Sequence, residues 1–244
     1  MRNAAFRMGE LRPGSCDSIR MPEAREHGPL PLILAFLTIF TGLVDAFSYM
    51  ELGNVFVANI TGNIIFLGFG LGGGGSVTGS ALATLFFCVG AFLGGHLAFA
   101  GRVHRGVMLG VAAFLQTVPL ATAALIVTWY GPGGTFERHV LIAVLATAMG
   151  WQLAIVRRVD VPDIRTVVVT TTITALIADS GQSREQAARR ILSVGSLLAG
   201  AALGALLDRG ISVVAPLWTG AALLPLIAVL SLRAARRADA GRWA

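Results

Sequence analysis

Asn59, Thr61 and Asn63 occupy alternate positions of the phrase Asn54-Val-Phe-Val-Ala-Asn-Ile-Thr-Gly-Asn63, with Gly62 between the last two. Their side chains supply carbonyl and hydroxyl acceptors and amide and hydroxyl donors without net charge, and a glycine among them lets a ligand or another backbone approach closely. Such a set suits a small polar solute. If Gly62 marks a break between helix and loop, the free amides of Asn63 and Ile64 form a partly positive end that can hold an anion or a carboxylate. Thr170, Thr171 and Thr172 form a second run of hydroxyls that can face the first. The competing explanation is that these side chains only bond to neighbouring helices and seal an irregular segment.

Three further side chains have chemistry worth weighing. Asp45 lies inside the apolar run Leu30 to Met50, where a carboxylate is costly. It is either an acid at the interfacial end of a helix or a carboxyl that takes up and releases a proton during transport. Gln152, in Gly150-Trp-Gln152, is the neutral group that would answer Asp45 in the second half of the chain. His96 follows Gly94-Gly95 among apolar residues; a packing histidine is the commoner role, a proton relay the rarer one.

The elements that position these groups are membrane helices. Hydrophobic residues make up 55% of the 244, charged residues 13%, and the mean hydropathy is +0.74. Those values lie far from a soluble globular average. Six runs approach the roughly 20 residues needed to cross about 30 Å of hydrocarbon. They are Leu30 to Met50, Ser80 to Ala100, Met108 to Tyr130, His139 to Val156, Ile191 to Leu207 and Ile211 to Leu232. Two weaker segments, Asn54 to Gly72 and Arg165 to Asp179, carry polar residues in their middles. Irregular polar backbone at membrane depth survives only where protein buries it or a cavity hydrates it.

Arginine placement decides between six and eight crossings. Residues 1–28 and 233–244 are Arg-rich tails and are expected in the cytoplasm. With six crossings and two partial segments, the Arg102–Arg105, Arg157–Arg165 and Arg184–Arg190 loops also fall inside, while the nearly uncharged Gly131–Glu137 turn falls outside. Eight crossings would put two of those Arg clusters outside. The first apolar run spans fully and lacks a small-residue cleavage site, so it is expected to remain as a helix rather than be removed as a signal peptide.

Cut near Gly131, the chain repeats: helix, polar partial segment, helix, helix. Repeat 1 covers about 29–130 and repeat 2 about 138–232, within a membrane domain of 29–232. Thr61-Gly62-Asn63 answers Thr170-Thr171-Thr172, and Val89-Gly90 with Gly94-Gly95 answers Val194-Gly195 with Gly200. Three crossings per half require opposite insertion, hence inverted-topology repeats, and matched broken segments in such repeats point to a transport site at the midplane.

The phrases Gly42-Leu-Val-Asp45-Ala, Phe56-Val-Ala-Asn59-Ile-Thr61-Gly62-Asn63, Gly150-Trp-Gln152 with Arg157-Arg158, and Thr166-Val-Val-Val-Thr170 resemble the YoaK family of bacterial inner-membrane proteins, a domain of unknown function. The likeness runs from about Leu30 to Leu232. It implies a six-helix membrane protein of the kind often supposed to be a transporter. The second half departs from the pattern at Thr171, where a glycine is common, and at the charged approach through Arg165.

Other classes have little support. There is no His-Glu-x-x-His, Gly-x-Ser-x-Gly or clustered Cys/His set, so neither an enzyme, a metal nor a cofactor is expected. Gly72–Gly75 lacks the Lys-Ser/Thr of a phosphate loop and reads as a linker. The net charge of +6 is spread over tails and loops with no stacking aromatics between, which excludes nucleic acid as a partner. Cys16 and Cys88 lie in different environments and predict no disulfide. The sequence thus predicts an all-α polytopic membrane protein with six transmembrane helices plus two discontinuous segments in two inverted repeats. It would sit in a bacterial inner membrane with both termini cytoplasmic and move a small polar or anionic solute, with proton coupling through Asp45 as an option. A facilitative channel and a non-transporting scaffold are the alternatives. The partners are a small-molecule or ion substrate and the lipid bilayer, with self-association into a homo-oligomer left open.

Overall fold

A computed structural model describes residues 29–74, 77–97, 103–159, 169–179, 181 and 183–236. The tail 1–28, Arg102, the segment with Asp160, Asp163, Arg165 and Thr166, and the C-terminal residues from Arg237 lie outside them. The described residues form eight α-helices and no strand. These are α1 (Leu30–Glu51), α2 (Ile60–Leu71), α3 (Thr78–Phe92, continued by a π-turn, Leu93–Leu97), α4 (Arg105–Tyr130), α5 (Thr135–Val159), α6 (Val169–Ala178), α7 (Arg184–Gly210) and α8 (Ala215–Ala235).

Six of these are long and apolar enough to cross a membrane, and the chain is a polytopic all-α membrane protein. At about 1.5 Å per residue, the 12 residues of α2 reach about 18 Å and the 10 of α6 about 15 Å, well short of the hydrocarbon thickness. Neither helix is long enough to span by itself. The helix ends overrun the apolar runs where caps extend them. Ser183 and Gln186 form a capping box, with Ser183 Oγ accepting from the Gln186 amide at 3.2 Å and Gln186 Oε1 accepting from the Ser183 amide at 2.9 Å. This starts α7 seven residues before the apolar stretch expected from Ile191. Arg190 then ties α6 to α7 through the Asp179 carboxylate and the Ala175 carbonyl, both at 2.8 Å.

α1 is the innermost span: 67% of its apolar window is buried, against 22% for α3 and 28% for α7. Phe40, Leu43 and Phe47 are fully buried with Leu120, Leu145 and Ile142 of the neighbouring helices. Leu71, Ile177, Leu198 and Leu206 stay exposed on the outside, as residues facing acyl chains do.

The packing occurs twice. On α7, a Cβ at Gly200 would collide with the Ile39 carbonyl, and one at Gly204 would meet the Leu43 carbonyl and Ala46. On α3, a Cβ at Gly90 would collide with the Thr147 carbonyl, and one at Gly94 would meet the Trp151 carbonyl and Ala154. Gly42 faces Leu197 and Ala201, as Gly150 faces Phe87 and Ala91. A shift of 108 residues carries Ile39, Gly42, Leu43 and Ala46 onto Thr147, Gly150, Trp151 and Ala154. A shift of 110 carries Phe87, Gly90, Ala91 and Gly94 onto Leu197, Gly200, Ala201 and Gly204. α1 on α7 thus repeats α5 on α3, and α2 on α3 repeats α6 on α7.

This register corrects two sequence expectations. Gly90 answers Gly200, not Gly195, whose Cβ would meet nothing within 4 Å. The residue answering Asp45 is Leu153, one beyond Gln152, which answers Val44. Small residues were rightly placed on these faces, but only the backbone contacts fix which glycine meets which carbonyl.

Candidate functional site

α1 stops at Glu51, and the chain reverses through Gly53 (φ 85°) and Asn54 (φ 60°), two residue types that tolerate the left-handed region. Residues 52–59 then run back along α1 as irregular backbone, with Val55, Val57 and Ala58 buried. Two side chains satisfy that backbone. Asp45 Oδ1 accepts from the amides of Val57 at 3.0 Å and Ala58 at 2.8 Å. Asn63, fully buried in α2, accepts from the Phe56 amide at 3.1 Å through Oδ1 and donates through Nδ2 to the Phe56 carbonyl. Four backbone polar groups thereby find partners that are not water, which is the condition for non-helical chain at membrane depth.

The pinned loop turns one face to a cavity of about 940 Å³. α1 contributes Thr41, Asp45 and Tyr49, spaced by four and so on one face of the helix. The loop and α2 contribute Phe56, Asn59, Thr61 and Gly62; α6 contributes Val169 and Thr170. Phe87, Leu153 and Leu197 close it from α3, α5 and α7. Asn59 is the N-cap residue of α2, yet its side chain makes no cap bond, so its amide remains for the cavity. Gly62 has a structural duty: its missing Cβ would lie 2.9 Å from the Phe56 ring. That ring stacks on Tyr49 at 5.0 Å and lies beside Phe66 at 6.1 Å, forming an aromatic shelf. Asp45 is the one formally charged side chain among the described lining residues. Most of the wall is apolar.

The sequence candidates therefore divide. Asn59, Thr61, Gly62, Thr170 and Asp45 meet at the cavity. Asn63 is not among its lining residues; its whole amide is spent on the loop. Thr172 is buried and Thr171 exposed, and neither lines the cavity. Gln152 sits deeper, donating from Nε2 to Thr41 Oγ1 at 2.8 Å, while its buried Oε1 has no partner. His96 is exposed in the π-turn, stacked on Phe92 at 4.6 Å with Nδ1 3.3 Å from the Phe92 carbonyl, away from the cavity. Beside it the Gly95 carbonyl accepts from Arg158. Thr41, Tyr49 and Phe56 escaped notice in the sequence because each reads as an ordinary apolar-helix or loop residue. The spacing of four that joins Thr41 and Tyr49 to Asp45 was the available signal.

The comparisons agree with this architecture. Residues 33–230 match the family described as "Protein of unknown function (DUF1275)". The chain belongs to the DUF1275 family. A curated relative, the UPF0700 transmembrane protein YoaK of Bacillus subtilis (strain 168), is 29% identical over 156 residues, covering 60% of this chain and 65% of the relative. The chain thus spans just under two thirds of that protein's length in the alignment. No solved structure matches. The DUF1275 match contains the whole pinned loop and every described residue lining the cavity, from Thr41 to Ala201.

Proposed function

We propose that this DUF1275 protein is a secondary transporter whose substrate site is the cavity between the pinned loop, α6 and the spans α1, α3, α5 and α7. The observation that carries this proposal is the meeting, in one cavity, of two helices too short to span and of polar side chains from both. The twofold recurrence of the α1–α7 and α5–α3 contacts supports inverted-topology repeats, each rocking about the other as alternating access requires. The Arg distribution supports a bacterial inner membrane location with both termini in the cytoplasm.

Of the solute classes the sequence left open, the uncharged polar one fits the described wall best. That wall holds amide and hydroxyl groups and one carboxylate but no basic side chain. At about 940 Å³ the cavity lies at the upper end of ligand pockets, so the solute carries an apolar body as well. Asp45 supplies a route for proton coupling. Its ionised carboxylate makes charge-assisted bonds to Val57 and Ala58, roughly twice as strong as neutral ones, so protonation loosens the loop that forms one wall. The protein acts as a carrier, not an enzyme, and its partners are the solute, the bilayer and, where it self-associates, other copies.

A thermal-shift panel of metabolites and drug-sized polar compounds on the full-length protein in detergent tests this. A ligand at 100 times its Kd adds about 2.7 kcal/mol. The expected hit is lost in Asn59→Ala and Thr61→Val, which leave unliganded stability unchanged, and it is carried across proteoliposomes by the parent protein. A hit that survives both substitutions places the site elsewhere and overturns the assignment.

A further inference from the structure

The cavity is not closed alike at the two equivalent helix ends. On α1 its wall runs from Thr41 to Met50, and Glu51, the next residue, ends the helix. The shift of 108 residues that relates the halves carries Met50 onto Arg158. That residue is not among the lining residues; it ties α5 to the π-turn by donating to the Gly95 carbonyl. At the α1 end, three charged side chains gather from three helices instead. α1 and α7 run side by side in one direction, with Ile39 at Gly200 and Leu43 at Gly204. Asp208, one turn beyond Gly204, thus comes level with the last turn of α1, within electrostatic reach of Glu51. Arg138, near the start of α5, also reaches Glu51 electrostatically. Its Nη1 lies 3.5 Å from where a Cβ on Gly53 would stand, over the turn that opens the pinned loop. The charges are gathered but not fully paired, since Arg138 Nε and Asp208 Oδ1 are buried with no hydrogen-bond partner. Arg209 is exposed and shares α7 with Asp208, so pairing between those two ties no helix to another.

Charge drawn from water without a partner is costly, and a guanidinium set between two carboxylates offsets that cost through charge-assisted bonds. We infer that Glu51, Asp208 and Arg138 are the outer gate of the carrier, unlatched in this structure: as α5 closes on the α1–α7 pair, the guanidinium bridges the two carboxylates and seals the cavity beyond Met50. The inference rests on the carrier reading and the orientation proposed above, which put the ends of α1 and α7 and the start of α5 on the outer side. The three residues join the two packing pairs that recur in the fold, α1 on α7 and α5 on α3, so their pairing follows the movement of one pair against the other. Because Arg138 lies over the Gly53 turn, the latch and the loop that walls the cavity shift together. The device is one-sided. Under the same shift of 108, Arg138 answers Leu30 and Glu51 answers Val159, so the inner end has no such trio.

The test is thiol labelling of Thr61→Cys, a reporter on the cavity wall, in the full-length chain with Cys16 and Cys88 replaced by serine. Membrane-impermeant methanethiosulfonates, one cationic and one anionic, are added to spheroplasts that express it, so only an outer mouth admits them. Arg138→Glu sets three acids against one another and should speed labelling by both reagents roughly 5-fold, as the loss of one partly exposed ion pair provides. Arg138→Gln, the milder change, should fall between that variant and the reporter chain. The swap of Arg138→Glu with Glu51→Arg restores opposed charges and should return the rate to that of the reporter chain, a rescue that a packing role for Arg138 does not give. Unchanged rates in both Arg138 variants, opposite effects on the two reagents, or a swap that stays fast would each overturn the gate and leave the cavity assignment standing. No labelling in any variant would overturn the outward mouth and the gate together.

Discussion

Replacing Asn63 with alanine separates the loop's support from the cavity's chemistry. In the parent, the Asn63 amide makes two hydrogen bonds to the Phe56 backbone from a fully buried position. Alanine removes both at once and leaves a backbone N–H and a C=O without partners. Each such group costs about 1–3 kcal/mol when buried. Phe56 is only half-buried and lines the cavity, so water reaches its backbone after the change and the lower figure applies to each group. The expected loss is about 2 kcal/mol in the closed state of the loop. Asn59→Ala, four residues away, removes a side chain that makes no cap bond and should cost less than about 0.5 kcal/mol. The assay is hydrogen–deuterium exchange of residues 52–59 in nanodiscs. A drop of about 2 kcal/mol is roughly a 30-fold loss of protection at Val57 and Ala58. Equal protection in Asn63→Ala and the parent, or a larger loss in Asn59→Ala, would refute the assignment of Asn63 as the clasp.

Four other substitutions test the remaining elements. Asp45→Asn keeps an Oδ1 acceptor for Val57 and Ala58 but removes the charge, so the protein should fold normally and move solute only down the solute's own gradient. The parent should also respond to an imposed proton gradient in proteoliposomes, and an unchanged response in Asp45→Asn would exclude Asp45 from coupling. Gly200→Ala drives a Cβ against the Ile39 carbonyl and should cost about 1–3 kcal/mol, while Gly195→Ala, facing open space in a helix, should be neutral or stabilising by up to about 1 kcal/mol; thermal unfolding in detergent compares them. Gln152→Leu loses one bond to Thr41 but also removes a buried unpartnered oxygen, so its stability should stay within about 1 kcal/mol of the parent; a loss of 3 kcal/mol would mean that Oε1 has a partner in the folded protein.

The spans were legible because hydropathy and length are properties of a single segment. Leu30–Glu51 and Arg105–Tyr130 differ from the apolar runs only where a capping group or a polar last turn extends the helix. The pinned loop was also legible as a place, since polar, glycine-bearing sequence among apolar runs has few physical homes in a membrane. Its internal wiring was not. Asn59 and Asn63 are the same residue type four positions apart, yet one faces the cavity and the other clasps Phe56. The choice depends on how the chain doubles back after Gly53 and Asn54, which no local periodicity encodes. The repeat register failed for a related reason. Several glycines on α7 satisfy a small-residue pattern, but only Gly200 and Gly204 meet a neighbouring helix backbone.

The corrected register changes how the two halves divide the work. With Leu153 in the position that answers Asp45, α5 turns no carboxylate to the cavity at that place. Among the described residues, the second half's short helix is held to α7 by Arg190 reaching the Ala175 carbonyl and Asp179 just beyond the end of α6. A carboxylate inside the cavity and an arginine outside it respond to different things, the first to protonation and solute, the second to ionic strength. If the halves exchange conformations during transport, the barrier to freeing α2 lies in the cavity and the barrier to freeing α6 lies at the exposed Asp179. Salt at 1 M, which shortens the screening length to about 3 Å, should therefore loosen α6 selectively in hydrogen exchange while leaving the amides of Val57 and Ala58 protected.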